Sequence, residues 1–198
     1  KIMSENSGHI GNGLIGGQFL MRTLTNSGHV DIAYKLALQN TYPGWGYMVN
    51  KGATTIWELW NGDTGDPGMN SGNHVMLLGD LIILFYENVA GIKADAEIPG
   101  FKHIIMNPAV SSELTSADAS FKSVYGTVKS EWKLESGNFN WNITIPANTS
   151  ATVYIPSTDA ENVKEGNKKA SKREGVRFIT WENNKAVYEV QSGSYSFS

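Results

Sequence analysis

Residues 138–155 read NFNWNITIPANTSATVYI, and this stretch decides the fold of the second half of the 198-residue chain. From Phe139 to Ile145 every second residue is apolar, and the intervening residues are asparagine or threonine. A period of two is typical of a β-strand with one buried face. The same alternation returns from Ala151 to Ile155, after a break that begins at Pro146. The stretch therefore predicts two half-buried strands in succession.

Further strand-like runs lie on both sides of this stretch, at 124–134, 177–181 and 186–190. Short strands at regular spacing, separated by turn residues, are typical of an antiparallel β-sandwich. The charged run at 164–174, KEGNKKASKRE, is interpreted as a solvated loop or hairpin tip rather than as a basic binding patch. The second half of the chain is therefore predicted to be an all-β domain.

The first half of the chain has a helical pattern instead. Apolar residues recur at positions 30, 33, 34, 37 and 38, which form one face of a helix. A shorter pattern at 14–24 precedes that helix, and a third run at 74–89 is apolar nearly all round. A helix of this last kind is buried on most sides, so it belongs inside a larger helical assembly.

The composition changes between the two halves, since residues 1–97 hold 15 of the 21 glycines. Turn-forming residues in the segment 91–100, among them Pro99, favour a boundary there. We predict a multidomain α and β protein, with a helical part over 1–97 and an antiparallel β-sandwich over 98–198. Because three helices offer the run at 74–89 too few partners, we also expect the chain to be a fragment of a longer protein.

Charge and residue usage exclude several classes of function. A net charge of -3 and a pI near 5.8 give no reason to expect nucleic acid or an anionic membrane as a partner. The most apolar stretch, 75–86, is too short for a membrane helix, which needs about 20 residues. Without cysteine, a thiol nucleophile and a thiolate metal site are excluded.

Metal and phosphate sites find no support in the sequence either. The four histidines form no pair at ligand spacing, and Asp63 and Asp66 lack the alternating oxygen ligands of a calcium loop. The glycine-rich run at 8–13 has no strand before it, which makes a phosphate-binding loop a weak interpretation. We therefore expect no metal and no cofactor.

The most informative stretch is 42–74, YPGWGYMVNKGATTIWELWNGDTGDPGMNSGNH, in which we predict neither a helix nor a strand. Loops of this length in compact domains are functional or disordered, and disorder would leave Trp45, Trp57 and Trp60 in water. Aromatic rings stack on the C–H faces of sugars, while short polar side chains bind the hydroxyl groups. We predict a carbohydrate site in which these three tryptophans contact the substrate.

Two side chains in this stretch are candidates for chemistry. Glu58 lies between Trp57 and Trp60, and an apolar setting adapts a carboxylate to act as a general base near neutral pH. The alternative is a loop glutamate that caps a backbone N–H or pairs with Lys51. His74, at the start of the third helix, is either a partner for a sugar hydroxyl or a capping or core histidine. Spacing alone leaves both pairs of interpretations open.

Taken together, these segments resemble the C-terminal portion of bacterial α-L-rhamnosidases of glycoside hydrolase family 78. The resemblance covers nearly the whole chain. Its most specific part is the combination of ATTIWE with SGNH. The matching segments, in order, are SGHIGNGLIGGQFLMRTLTNSGHVDIAYKLALQ, YPGWGYMVNKGATTIWELWNG, SGNHVMLLGDLIILFYENVAGI, GFKHIIMNPAV, SVYGTVKSEW and IPANTSATVYIP. The resemblance implies the last helices of an (α/α)6 catalytic barrel over 1–97 and a C-terminal β-sandwich domain from about 98 onward.

The family also implies a chemistry. Its members invert configuration while removing α-L-rhamnose from glycosides, with one carboxylic acid and one carboxylate base. By resemblance, Glu58 is the general base and His74 contacts the sugar in the catalytic subsite. Leu59 stands where the family commonly has arginine, so a neighbouring polar contact differs here. The family's general acid has no match in 1–198, so we expect it in an upstream part of the same parent enzyme and little activity from the chain alone.

Two other functions compete with this interpretation. One is a non-catalytic carbohydrate-binding module in the all-β half, in which Trp132, Trp141 and Trp181 would be the binding aromatics. Trp141 shares its predicted face with Phe139 and Ile143, which favours burial in the core over binding. The other is a structural remnant whose helical half lacks its partners.

Overall fold

The chain forms two compact units, which divide between Leu84 and Phe85. This computed structural model describes residues 6–68 and 70–198. The first unit is helical and the second is built from strands, so the predicted change of fold class along the chain is confirmed. Within the described residues no helix is both long enough and apolar enough to cross a bilayer.

Two of the predicted helices in the first unit are confirmed. Helix α1 spans Leu14–Asn26 and helix α2 spans Val30–Ala37, joined by a turn in which Gly28 has a φ of +78°. The two helices contact each other, and α2 buries Ala33 and Tyr34. A third helix, α3, spans Trp45–Asn50 inside the stretch in which neither helix nor strand was expected. It was missed because six residues are too few to establish a helical period.

The single helix predicted over 74–89 is wrong. The segment consists of a 3₁₀ turn at Val75–Leu78, a short α4 at Leu81–Ile83 and a π-helical turn at Leu84–Val89. Gly79 breaks the helix with a φ of +54°, and its backbone lies so close to the Gly17 carbonyl that a Cβ atom would overlap it. Burial is also less complete than expected, because Val75 is 64 % exposed.

Nine strands form one hydrogen-bonded sheet in the second unit. Their bounds are β1 Ile92–Ala94, β2 His103–Met106, β3 Ser116–Ser123, β4 Gly126–Glu135, β5 Asn138–Pro156, β6 Lys164–Glu165, β7 Lys168–Lys169, β8 Val176–Glu182 and β9 Lys185–Phe197. Each described pairing is antiparallel except that of β2 with β5. The first part of the charged run, 164–169, is a hairpin of β6 and β7, as expected, and a 3₁₀ turn follows it at Ala170–Lys172.

Strands β5 and β9 are long enough to pair with each other on both sides of a register shift, which divides the sheet into two halves. The two predicted strands of the opening stretch are one strand, β5, whose register with β9 shifts between Ile145 and Ser150. Across this shift, β9 changes which of its residues face the core, from Tyr188 and Val190 to Tyr195 and Phe197. Buried residues from both halves belong to a single core, so one continuous sheet encloses it.

The core of the second unit includes residues that precede the predicted boundary at 97/98. Strand β1 pairs with β2, and a buried polar chain reaches back to residues 89 and 90. The Trp132 indole N–H donates to the Val89 carbonyl at 2.7 Å, and the Ser130 hydroxyl donates to the Ala90 carbonyl at 2.6 Å. The Trp141 indole in turn donates to the Ser130 hydroxyl at 2.9 Å. The first residues of the sheet unit therefore lie well before residue 98.

Candidate active site

Glu58 and His74 lie on two segments of the first unit that run side by side. The backbone N–H of Glu58 donates to the Ser71 carbonyl at 2.9 Å, and that of His74 donates to the Ile56 carbonyl at 2.6 Å. The Thr55 hydroxyl adds a bond to the Gly72 carbonyl. These bonds pair 55–58 with 71–74 in antiparallel fashion, although the segments are too irregular to count as strands. Glu58 and His74 are thereby brought together across 16 positions of sequence.

The Glu58 carboxylate is held through one of its two oxygens. Its Oε2 accepts the Ser71 backbone N–H at 2.9 Å and lies 3.9 Å from Nδ1 of His74. The other oxygen, Oε1, accepts no hydrogen bond from a described residue. The Glu58 side chain is 42 % exposed, so the carboxylate is not enclosed by its tryptophan neighbours as expected. One oxygen is therefore fixed, and the other is open to solvent.

This geometry bears on the alternatives that the sequence left open. Glu58 does cap a backbone N–H, that of Ser71, but its partner is not Lys51. The Lys51 ammonium lies 3.4 Å from Asp63 instead. His74 is 20 % exposed, and its imidazole makes no hydrogen bond to a described residue. A carboxylate and an imidazole that both keep hydrogen-bonding capacity are suited to bind a polar ligand.

Aromatic side chains occupy three different positions around the loop. Trp45 is buried, at 6 % exposed, and its indole N–H donates to the Leu77 carbonyl at 3.2 Å. Trp60 is half-buried and packs edge-on against Trp45, with ring centroids 5.5 Å apart. Trp57 is half-buried as well, with its ring against the backbone of Gly62. Trp45 is thus a support for Trp60, and the partly exposed rings are those of Trp57 and Trp60.

Asp63 belongs to a separate polar cluster at the edge of the loop. The Tyr47 hydroxyl lies 3.0 and 3.1 Å from the two Asp63 carboxylate oxygens. The pKa of Asp63 is lowered from its ordinary value, because desolvation, which raises it, is outweighed by the hydrogen bonds from Tyr47 and Lys51. Desolvation, followed by the hydrogen bond to Asp63, raises the pKa of Tyr47. Among the described residues no group of three or more histidines, aspartates or glutamates converges as a metal site.

Three contributors to the site were missed in the sequence. Asn70 accepts the Leu59 backbone N–H at 3.1 Å and donates to the Gly62 carbonyl at 3.4 Å, which closes the loop. Ser71 acts through its backbone N–H, and Thr55 acts through its hydroxyl. Backbone groups leave no trace in residue type, so only Asn70, directly before Ser71, carries a usable signal, as a turn residue.

A helical unit that presents a solvent-facing carboxylate beside a histidine and two tryptophans, followed by a strand-rich domain, is typical of a multidomain carbohydrate-active enzyme. Comparison with known protein families identifies which kind of carbohydrate-active enzyme this is. The family described as the bacterial α-L-rhamnosidase 6-hairpin glycosidase domain matches residues 1–89, and the bacterial α-L-rhamnosidase C-terminal domain matches residues 91–170. The chain belongs to the bacterial α-L-rhamnosidase family.

Individual relatives agree with the family match. The chain is 36 % identical over 195 residues to an α-L-rhamnosidase of Streptomyces avermitilis, and 34 % identical over 200 residues to one of Formosa agariphila. These alignments cover 96 % and 98 % of the chain but only 18 % and 21 % of the relatives. The crystal structure of the S. avermitilis enzyme complexed with L-rhamnose matches 99 % of the chain and 18 % of its own length, with a TM-score of 0.88. The resemblance inferred from the sequence motifs is confirmed.

Proposed function

We propose that the chain supplies the general base and part of the sugar subsite of an inverting α-L-rhamnosidase, which hydrolyses terminal α-L-rhamnose from glycosides. Glu58 is the base, and the upstream part of the same longer enzyme supplies the general acid. The observation that carries the proposal is the Glu58 carboxylate, anchored through Oε2 by the Ser71 N–H, with Oε1 free to hold a water molecule. The short share of the relatives that the chain spans supports an acid located elsewhere in the enzyme.

The proposed reaction is a single displacement. Oε1 of Glu58 accepts a proton from water as the water oxygen attacks the anomeric carbon of rhamnose. On the opposite face, the bond to the leaving oxygen breaks, and the general acid protonates that oxygen. Inverting enzymes keep the two carboxyl groups about 6.5–9.5 Å apart to leave room for the water. The hydrogen bond from the Ser71 N–H fixes the direction of the carboxylate.

His74 and the two partly exposed tryptophan rings are proposed to hold the sugar. An imidazole offers two ring nitrogens for hydrogen bonding, so His74 suits a rhamnose hydroxyl next to the base. Trp57 and Trp60 offer apolar surface for the C–H groups and the C6 methyl group of rhamnose. Trp45 contributes indirectly, since it supports the ring of Trp60.

The first test is the change Glu58→Gln in the longer enzyme, with p-nitrophenyl α-L-rhamnopyranoside as substrate. Loss of a general base lowers kcat by about 10²–10⁴-fold, and proton NMR of the unchanged enzyme should show β-L-rhamnose as the first anomer released. The matched control is Glu97→Gln, because Glu97 is exposed and its side chain makes no hydrogen bond or ion pair to a described residue. The 198-residue chain alone is expected to show little or no turnover.

A rescue experiment separates a base from a structural glutamate. In a Glu58→Ala variant, added azide needs no deprotonation to attack the anomeric carbon, so we expect product formation to recover as β-L-rhamnosyl azide. Recovery without a change in substrate KM supports the base role. Full activity of Glu58→Gln, or α-L-rhamnose as the first product, would contradict the proposal.

A further inference from the structure

The strand-rich unit carries a cleft that the proposed reaction does not use. Its volume is about 870 Å³, within the range of roughly 300–1,000 Å³ found for small-molecule sites. The hairpin of β4 and β5 forms one side, and the hairpin of β8 and β9 forms another. We propose that this cleft is a second carbohydrate site, which binds neutral pyranose units of a glycan.

Trp181 provides the aromatic surface of the cleft. Its side chain is 43 % exposed, whereas Trp132 and Trp141 are fully buried in the core. Of the three tryptophans considered as binding aromatics in this domain, only Trp181 is therefore accessible. Its indole N–H is already used, because it donates to the Ser157 carbonyl at 3.3 Å. The bond fixes the ring on the wall of the cleft, where its carbon surface suits the C–H face of a sugar.

Four asparagine side chains line the same cleft, namely Asn138, Asn140, Asn162 and Asn184. None of their amides makes a side-chain hydrogen bond to another described residue. An amide offers two donors and an acceptor, which matches hydroxyl groups that both donate and accept. Four amides without side-chain partners and one aromatic ring line the same cleft, and together they suit a hydroxyl-rich ligand with an apolar face.

The backbone holds two of the cleft walls in place. Asn183 and Asn184 have φ angles of +49° and +57° and form the two-residue turn between β8 and β9. Two positive φ angles define the tight turn that matches the twist of a hairpin. The Asn184 carbonyl accepts the Ser157 N–H at 3.0 Å, which ties this turn to the end of β5. The site is therefore largely preformed.

The scarcity of charged side chains in the cleft favours a neutral ligand. Lys164 is the one residue with an ionisable side chain among those that line it. A single exposed ammonium contributes little binding energy in water, whereas the amides and hydroxyls in the lining act on neutral groups. This balance favours neutral sugar units over uronic acids.

The test follows the Trp181 indole N–H signal of the ¹⁵N-labelled chain during titration with the neutral disaccharide α-L-rhamnosyl-(1→6)-D-glucose. We expect a saturable shift at millimolar sugar, with an affinity that 0.5 M NaCl leaves unchanged. In Trp181→Ala, the Asn140 and Asn184 amide signals report the cleft, and the affinity should fall at least tenfold. Phe178→Ala is the matched control, because Phe178 lies on the same strand with 40 % exposure and does not line the cleft.

Each outcome is decisive for the cleft. A Trp181 signal that does not move at any soluble sugar concentration, or unchanged affinity in Trp181→Ala, overturns the proposal. Binding that salt abolishes overturns the neutral-ligand assignment. Glu58→Gln should leave the Trp181 shift intact, and Trp181→Ala should leave hydrolysis of the p-nitrophenyl substrate by the longer enzyme intact. The cleft and the catalytic site can therefore fail independently.

Discussion

A single amide side chain fixes the course of the loop that carries Glu58. Asn70 bonds to the backbone of both Leu59 and Gly62, so the position of neighbouring Glu58 depends on a residue twelve places along the chain. Leu59 takes part through its backbone N–H rather than its side chain. The leucine that stands where the family commonly has arginine therefore leaves this anchor intact.

Gly62 offers a test of how tightly this loop is packed. A Cβ atom at Gly62 would lie 2.7 Å from the ring of Trp57, so Gly62→Ala must displace the indole. We expect a loss of about 1–3 kcal/mol in unfolding free energy, together with lower kcat/KM in the longer enzyme. Urea unfolding followed by near-ultraviolet circular dichroism measures the first effect.

Gly72→Ala is the control for Gly62→Ala, because the same added methyl group at Gly72 would meet nothing within 4 Å. Its stability should stay close to that of the unchanged chain. Equal losses in the two variants would mean that the Trp57 ring does not constrain the loop.

At the scale of elements, Gly79 shows why hydrophobic periodicity misjudged the third helix. The apolar run is continuous enough to predict a helix through it, and an isolated glycine is tolerated in such a pattern. The break arises from a tertiary contact, the close approach of Gly79 to the Gly17 carbonyl. Because that contact joins positions 62 residues apart, no local pattern carries it.

Gly79→Ala is expected to destabilise the helical unit for two separable reasons. A left-handed φ costs a non-glycine residue about 1–2 kcal/mol, and overlap with the Gly17 carbonyl adds about 1–3 kcal/mol. Gly52→Ala isolates the first cost, since Gly52 has a φ of +84° and nothing within 4 Å of its added Cβ. Urea unfolding followed by circular dichroism at 222 nm measures the stability of both variants. If Gly52→Ala loses as much unfolding free energy as Gly79→Ala, the contact with Gly17 adds nothing, which would contradict this explanation.

The sequence pattern predicted strands that have one buried face, and it missed a strand that has none. Strand β5 alternates cleanly, with Trp141 and Ile143 inward, and it was found from its period. Strand β3, SADASFKS, has no fully buried residue and consists mainly of small and polar side chains. Strand β3 is extended because it pairs with β4, and its own sequence does not show this preference. The tendency of a segment to form a strand depends on the neighbouring strands. Strands β1 and β2 do bury apolar residues, but three and four residues are too few to establish a period of two.

For the molecule as a whole, residue types and family motifs predicted Glu58 and His74, while their mutual position came from the fold. The spacing of residues in the sequence does not predict that 55–58 pairs with 71–74, because backbone groups make those hydrogen bonds. The general-base role comes from the resemblance and stays a prediction. Composition located the change from helices to strands, but it could not detect that Val89 and Ala90 accept bonds from inside the sheet unit.

This last feature predicts where the sheet unit can be cut. A fragment 98–198 lacks β1 and leaves Trp132 and Ser130 as interior donors without acceptors, which costs about 1–3 kcal/mol each. A fragment 85–198 keeps both acceptors. We expect the longer fragment to unfold cooperatively in urea by tryptophan fluorescence and the shorter one to be far less stable. Equal stability of the two would show that residues 85–97 contribute nothing to the sheet.

Strands β5 and β9 pass through both halves of the sheet, and this gives the unit a kinetic property. We expect the two halves to open together, because the same two strands supply ladder bonds on both sides of the register shift. Amide protons on the two sides are then released by one global event rather than by separate local openings. Many of these pairings join distant parts of the sequence, so the unit is slow to form. Once the unit has formed, we expect it to resist proteolysis, because cleavage needs an opened chain.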